Sequence, residues 1–585
     1  YPGVREDARG VITRAFGYPD DPAVEQEMII AKWGIREDFQ PAAIKEAEGL
    51  KPPGEDEPFP RGVADLRELE TFTIDPRTAR DHDDALSIEA LADGGRRLGV
   101  HIADVSHYVR AGHETDKEAA LRGNSVYFPD RAIPMLPPCL SGDVCSLREG
   151  EVRRVLSAFL DFDDKGRQVD FRLTVARIRS SAQLTYAGAG AVLEGEEILE
   201  REEYEKALSF RGPLAELAAL AGQLRARRMT EGSLDFDLPE PIVHLNEKGH
   251  PTAIERSPRN EAHRLVEECM LAANRAVAKM LEDAEGAAVY RVHAPPDEES
   301  IELLRRTLAR LGLPDLSSEE LMKGTGLQAV IDAAAGKDIE RYVNMLVLRS
   351  MRLACYEPDP GIHFGLGFEP YTHFTSPIRR YADLLVHRRL KRLMRGDRRK
   401  PNHKNLASIC AEISERGRQA ELAEREMKSF LKALFMRDYI DQRCTGHVSG
   451  VTGFGVFVEL DENFVEGMIP LESMTDDYYI HLPEEHSVLG ERTGRRLRLG
   501  DPVTVRVVAS DLARREVTFQ LLAGGGHGVP EGATSARRSA RTAGRKRPQR
   551  VADARGSTIR AGSGPKRKTK SPRKKSLRKK GDRRH

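Results

Sequence analysis

Between Thr73 and Ser87 the chain reads TIDPRTARDHDDALS, which sets Asp75, Asp81, Asp83 and Asp84 within ten residues. Carboxylates brought that close repel one another unless cations neutralise them. An all-oxygen set selects a hard divalent ion, Mg²⁺ or Mn²⁺, over zinc, and that points towards phosphate chemistry. The cluster also constrains the backbone. Strict strand alternation would turn Asp83 and Asp84 to opposite faces, so all four side chains share one site only if the segment is an irregular loop. Pro76 and the charges after it favour that. Downstream, Leu86 to Leu91, the turn Ala92-Asp93-Gly94-Gly95 and Leu98 to Val105 read as strand, hairpin turn and strand, so the loop feeds a central hairpin. The competing readings are a solvated turn and a calcium loop. An EF-hand register begun at Asp81 needs Gly at its sixth position and Glu at its twelfth, where this chain has Leu86 and Ala92.

The rest of the chain is organised around this loop. At 585 residues it exceeds one core, and roughly three to five domains are expected. Its formal charge is zero, yet residues 523–585 hold 21 Lys and Arg against three acids, leaving 71 basic and 89 acidic groups before them. No aromatic residue follows Phe519, so 523–585 reads as a disordered basic tail. Six cysteines without a CxxC pair argue against a zinc ribbon or a disulfide framework, and a reducing cytoplasm fits. No apolar run is long enough to span a bilayer. The start at Tyr1-Pro2-Gly3, without Met, suggests a truncated or processed beginning.

Val11 to Phe16 is strand-like, and residues 18–62 read as a linker, first helical around Trp33 and then Pro-rich. Residues 262–438 turn helical, with AHRLVEECMLAANRAVAKML and YADLLVHRRLKRLM carrying apolar residues at three and four spacing. From Arg443 to Leu522 five short β segments, CTGHVSGV, GVFVEL, GMIPL, VTVRVVA and VTFQLL, fit a small OB-type barrel. Between these regions lies a second polar constellation, Tyr371 to Asp383 (YTHFTSPIRRYAD). Ser376-Pro377 signals a helix start, and Arg379 and Arg380 just inside it would sit against the helix dipole unless an anion such as phosphate offsets them. Carboxylates that hold metal, plus an arginine, are the parts for phosphoryl hydrolysis. His101, His107 and His373 have no HExxH spacing and read as hydrogen-bonded core groups, and Asp104 as structural.

TIDPRTARDHDDALS, HIADVSHYV, SVYFPDRAIPMLP, SLDFDLPE and TSPIRRYADLLVHR resemble, in order and spacing, the catalytic domain of the ribonuclease II and ribonuclease R family of exoribonucleases, from about residue 60 to 522. TDDYYIHLPEEHSVLGERTGRRLRLGD and the Lys-rich tail are closer to the ribonuclease R branch. The resemblance implies an α+β multi-domain chain. Its parts would be the end of a cold-shock-like OB domain (1–17), a linker (18–62), a mixed α/β catalytic domain (63–440), an S1-type OB barrel (441–522) and the tail (523–585). It implies processive hydrolysis of single-stranded RNA from the 3′ end to nucleoside 5′-monophosphates, with Mg²⁺ as cofactor and Mn²⁺ as an alternative. Asp75, Asp81, Asp83 and Asp84 take the family's acidic positions, with Asp83 the most direct participant in cleavage. Arg379 matches the arginine at the scissile phosphate and Glu424 an acid lining the catalytic cavity. Tyr127 matches an aromatic that stacks on terminal bases, Tyr290 stands as a candidate second clamp, and Tyr186 resembles a tyrosine near the scissile nucleotide. Arg380 is a candidate RNA contact. Phe454 and Phe457, at the typical point of an S1 face, could stack on bases, one of them being core. The expected partners are single-stranded RNA threaded 3′ end first and, through the tail, the ribosome or other RNA-decay proteins; a monomer without membrane contact is expected.

Two other functions compete. A non-catalytic RNA-binding protein would have no reason to keep clustered charge, and a metal-dependent phosphoesterase acting on DNA would be separated by matched RNA and DNA oligomers. No GxxxxGK[ST] loop supports an ATP-driven machine.

Overall fold

The computed structural model describes residues 11–527 apart from 13, 197–199, 237–240, 258 and 338. Residues 1–10 of the cold-shock-like remnant, the end of the SLDFDLPE motif and nearly all of the basic tail lie outside the described residues.

The aspartate loop hangs from a seven-stranded sheet. Its strands are β1 (Val63–Leu66), β2 (Phe72–Asp75), β3 (Asp84–Ala90), β4 (Arg96–Ala103), a separate two-stranded pair β5 (Val126–Tyr127) and β6 (Ala132–Ile133), then β7 (Val152–Phe162), β8 (Gln168–Arg179) and β9 (Ala182–Thr185). The sheet order is β1-β8-β7-β4-β3-β2-β9, with β1 parallel to β8, β2 parallel to β9 and the other neighbours antiparallel. β3 and β4 form the expected hairpin. Its turn closes through Gly95, whose backbone lies so near β7 that a Cβ there would sit 2.3 Å from the Phe162 carbonyl oxygen. β4 and β7 run almost continuously buried, because helices cover the sheet: Leu265, Cys269, Ala273 and Val277 of the helix Glu261–Asp283 and Leu384 and Leu390 of the helix Tyr381–Met394 all join its core.

The Pro-rich stretch before the sheet is fastened to it rather than free. Fully buried Arg177 donates to the Glu57 carbonyl and carboxylate, both at 2.7 Å, and its guanidinium lies 4.5 Å from the Phe59 ring centroid. The helical part of that segment, Pro22–Trp33, docks on the 34-residue helix His403–Met436, where Glu426 accepts from the Trp33 indole N–H at 2.6 Å and from Lys32. Val11 to Phe16 forms no strand among its described residues, and Val11 and Ile12 are solvent-exposed.

The five β segments read after residue 440 are the five strands of a closed barrel: Arg443–Val451, Gly455–Leu460, Glu466–Pro470, Pro502–Asp511 and Glu516–Gly524. Val456, Val458, Val505 and Phe519 fill it. The last strand extends through Ala523 and Gly524, and Gly526–His527 pairs with Arg495–Arg498, so order continues past the expected start of the tail at 523. The segment between the third and fourth barrel strands builds a small sheet of its own, from Tyr479–Leu482, Ser487–Gly490 and Arg495–Arg498 with that terminal pair. No helix among the described residues is long and apolar enough to cross a membrane.

A further local expectation also fails. The helix signalled at Ser376-Pro377 begins at Tyr381 instead, with Arg380 as its N-cap. Buried Asp383 captures the Ser376 N–H at 2.8 Å and both ends of the Arg380 guanidinium at 2.8 Å. That clamp holds residues 376–380 as a turn ahead of the helix.

Candidate active site

β2 ends on Asp75 and β3 begins on Asp84, so two of the four acids stand at the facing ends of adjacent strands, and residues 76–83 form the irregular loop between them. Ser146 pins that loop, its hydroxyl donating to the Arg80 carbonyl (2.8 Å) and accepting from the His82 N–H (3.1 Å). His82 Nδ1 lies 2.7 Å from Asp75 Oδ2 and orients that carboxylate.

Asp83 is the centre of the arrangement. Its side chain is buried, with 3% of the residue exposed. Oδ1 accepts the Ile378 N–H at 2.8 Å, whereas Oδ2 has no hydrogen-bond partner and faces Arg379 Nε at 3.7 Å. Burial pushes the Asp83 carboxyl well above the usual carboxylate range, Arg379 and the Ile378 amide pull against it, and the Asp81 and Asp84 charges add to the rise. Burial, then the neighbouring Asp75 carboxylate, lifts Asp84 to about 7. Buried carboxylates that feel one another and keep an unpartnered oxygen fit a cation. Among the described residues no three His, Cys, Asp or Glu side chains stand close enough together to hold a metal ion as they are placed.

The turn held by Asp383 delivers two groups to Asp83 at once, the Ile378 amide and the Arg379 guanidinium. Arg379 is half-exposed, and its Nη2 donates to Ser376 Oγ at 3.1 Å. Arg380, the candidate RNA contact, pairs bidentately with Asp383, which neutralises its charge within the turn. Glu424 reaches the site through Tyr127, accepting that residue's backbone N–H at 2.7 Å, and does not join the acid cluster directly. Tyr127 is 39% exposed, with its hydroxyl donating to Asp81 Oδ2 at 3.3 Å. Tyr186 opens the helix Tyr186–Glu194, feels the Asp84 and Asp75 charges, and stacks on His263 with centroids 3.9 Å apart.

Tyr290 does not belong to this set. It is 1% exposed, in a strand Tyr290–Val292 paired with Cys355–Glu357 inside the sheet's core cluster, and offers no ring face to a base. Tyr290→Ala should cost about 3–5 kcal/mol of stability in thermal or denaturant unfolding, while Tyr290→Phe should leave RNA affinity and cleavage rate unchanged. On the barrel, Phe454 is 63% exposed and Phe457 half-buried, their rings edge to face at 6.1 Å, so Phe454 is the better stacking platform. His101 is buried between Ser87 and Ser157, and Asp104 pairs with Lys391, both structural as read. Ser376 reads in the sequence only as a helix start and Asp383 only as the end of the YTHFTSPIRRYAD constellation, while His263 carries no signal of its own.

The fold and acid cluster define a class. An RNB domain matches residues 63–396 and an S1 RNA binding domain residues 437–521, and the chain belongs to the RNB family of metal-dependent, hydrolytic 3′–5′ exoribonucleases. Its curated relatives carry the name Ribonuclease R. That of Aquifex aeolicus (strain VF5) is 41% identical over 526 residues, covering 89% of this chain and 74% of the relative. That of Vibrio parahaemolyticus is 36% identical over 545 residues, covering 91% of this chain and 64% of the relative. Among solved structures, Mycoplasma genitalium RNase R in complex with ribose methylated single-stranded RNA superposes with a TM-score of 0.80 at 28% identity, covering 87% of this chain and 79% of that one.

Proposed function

We propose that the chain is a processive exoribonuclease that hydrolyses single-stranded RNA from its 3′ end to nucleoside 5′-monophosphates, with Asp83 and Arg379 acting on the scissile phosphate. The observation that carries this reading is the unpartnered, buried Asp83 Oδ2 facing Arg379 at the mouth of a four-carboxylate loop. Asp75, Asp81, Asp83 and Asp84 would hold Mg²⁺, with Mn²⁺ as an alternative; bound there, the metal supplies charge compensation and lowers the pKa of water. Asp83, fixed through Oδ1 by the Ile378 amide, orients the attacking water with Oδ2. Arg379, held by Ser376, offsets the charge that builds on the phosphate. The water oxygen bonds to phosphorus, the bond to the upstream 3′-oxygen breaks, and that oxygen ends protonated. The phosphate stays on the released nucleotide. Tyr127 and Tyr186 grip the terminal nucleotides through ring faces that every base can meet, which makes binding blind to sequence.

Hydrolysis in ¹⁸O-labelled water tests this chemistry. Mass spectrometry should find one heavy oxygen in each released 5′-monophosphate and none in the remaining RNA; label in the shortened strand would refute attack at phosphorus with retention on the leaving nucleotide. Metal affinity should also depend on pH with a fixed sign. Burial and the Asp75 charge raise the Asp84 pKa to about 7, and protons compete with metal for a carboxylate, so calorimetric Mn²⁺ or Mg²⁺ affinity should fall as pH drops from 8 to 6, and a flat profile over that range would contradict the site.

The domain division at 63–440 and 441–522 belongs to the same reading, as do a monomeric chain and tail contacts with the ribosome or other RNA-decay proteins. Six free cysteines are in keeping with work in the cytoplasm.

A further inference from the structure

Behind Arg379 the site opens into a cavity of about 350 Å³. Tyr127, which bonds to Asp81, and Arg379, which faces Asp83, line it, as does Leu353, which is 68% exposed. Its charged lining is one-sided: Arg291, Arg379, Arg380 and Arg418 against the single carboxylate of Glu421. Three of these cations have partners. Arg380 is neutralised by Asp383, Arg418 pairs with Glu421 at 3.1 Å, and Arg379 faces Asp83. Arg291 has no carboxylate within ion-pairing distance among the described residues. Its guanidinium is held 4.8 Å from the centroid of the Tyr356 ring, whose hydroxyl is 2.8 Å from His373 Nδ1. Burial, and then the Arg380, Arg291 and Arg379 charges, hold the His373 pKa well below its ordinary value, so the cavity keeps an uncompensated positive field without protonating its histidine. A larger cavity, about 700 Å³ beside Phe162 and Phe368, is lined by four cations and four carboxylates and favours neither sign of ligand.

A cleavage at Asp83 changes the charge beside these residues. The scissile phosphodiester carries one negative charge, whereas the 5′-phosphate left on the cut nucleotide carries about −1.5 to −2 near neutral pH. That added charge strengthens its attraction to the one guanidinium of the cavity wall that lacks a counter-charge among the described residues. We propose that this cavity receives the nucleoside 5′-monophosphate cut from the strand and that Arg291 binds its phosphate before release. The proposal rests on the exoribonuclease reading above and adds to it a product site on the far side of Arg379.

The test is equilibrium binding of AMP and of adenosine to the full chain, in wild type, Arg291→Gln and Arg291→Lys, with RNA shortening measured on the same preparations. Wild type should bind AMP more tightly than adenosine. Arg291→Gln should weaken AMP by about tenfold or more and leave adenosine unchanged, with Arg291→Lys recovering part of the loss. Equal AMP binding by wild type and Arg291→Gln, or none by wild type, overturns the proposal even where RNA is degraded normally. A chain that shortens no RNA loses instead the reading on which the proposal rests. Should Arg291→Gln fail to fold, Glu421→Gln carries the test: removing the only carboxylate of the wall should tighten AMP binding several-fold, and unchanged or weaker binding overturns the proposal.

Discussion

Asp83→Asn should abolish turnover of single-stranded RNA, by about three orders of magnitude or more, while RNA affinity stays close to that of the wild type. The substitution is nearly isosteric, and the asparagine carbonyl can still accept the Ile378 N–H that now binds Oδ1 at 2.8 Å. What disappears is the anionic Oδ2 facing Arg379, the one buried oxygen of the acid cluster without a hydrogen-bond partner among the described residues. Since burial already disfavours that charge, the variant should unfold at the same temperature as wild type or slightly above it. In the proposed reading affinity is carried elsewhere, by Tyr127 and Tyr186 and by the barrel with its exposed Phe454. Filter binding and single-turnover cleavage on one preparation check both halves. Parallel losses of rate and affinity would mean that Asp83 shapes the RNA path rather than the reaction.

Arg379→Ala should lower the cleavage rate by about 10² to 10³ with a smaller effect on affinity. The guanidinium is half-exposed and reaches Asp83 from a turn whose geometry is set by Asp383 and Ser376, so its removal leaves the fold intact and takes away charge compensation at the phosphate. Lysine should rescue poorly. A point charge cannot both donate to Ser376 Oγ and present a second planar edge to a phosphate. Single-turnover rates at saturating RNA measure the loss; a change confined to KM would place Arg379 in binding alone.

What the sequence revealed, and what it hid, follows from the range of the interactions. The five barrel strands are legible because each is a short alternating run between Gly and Asp turns, a signal contained within a few residues. The hairpin after the acid cluster is legible for the same reason, and the cluster itself because four carboxylates in ten residues demand an explanation within the loop. The helix after Ser376-Pro377 starts late because a tertiary clamp by Asp383 outweighs a local proline preference. Tyr290 reads as a possible stacking residue from its neighbours in the chain, yet its burial depends on a strand pairing with residues 355–357. Glu424 and Tyr127 meet across 297 positions, and Asp83 and Ile378 across 295. No window of sequence contains either pair, so the roles of Glu424 as a support and of the 376–380 turn as a double donor to Asp83 emerge only from the fold.

The measurement that bears most directly on the site is the fate of 5′-labelled single-stranded RNA incubated with the chain, with Mg²⁺ or with chelator, beside Asp83→Asn. The account predicts shortening from the 3′ end to a small limit product without long intermediates, lost in chelator and in the variant. RNA that is bound but never shortened by a folded wild-type chain in Mg²⁺ would contradict it and leave a protein that holds RNA without cutting it.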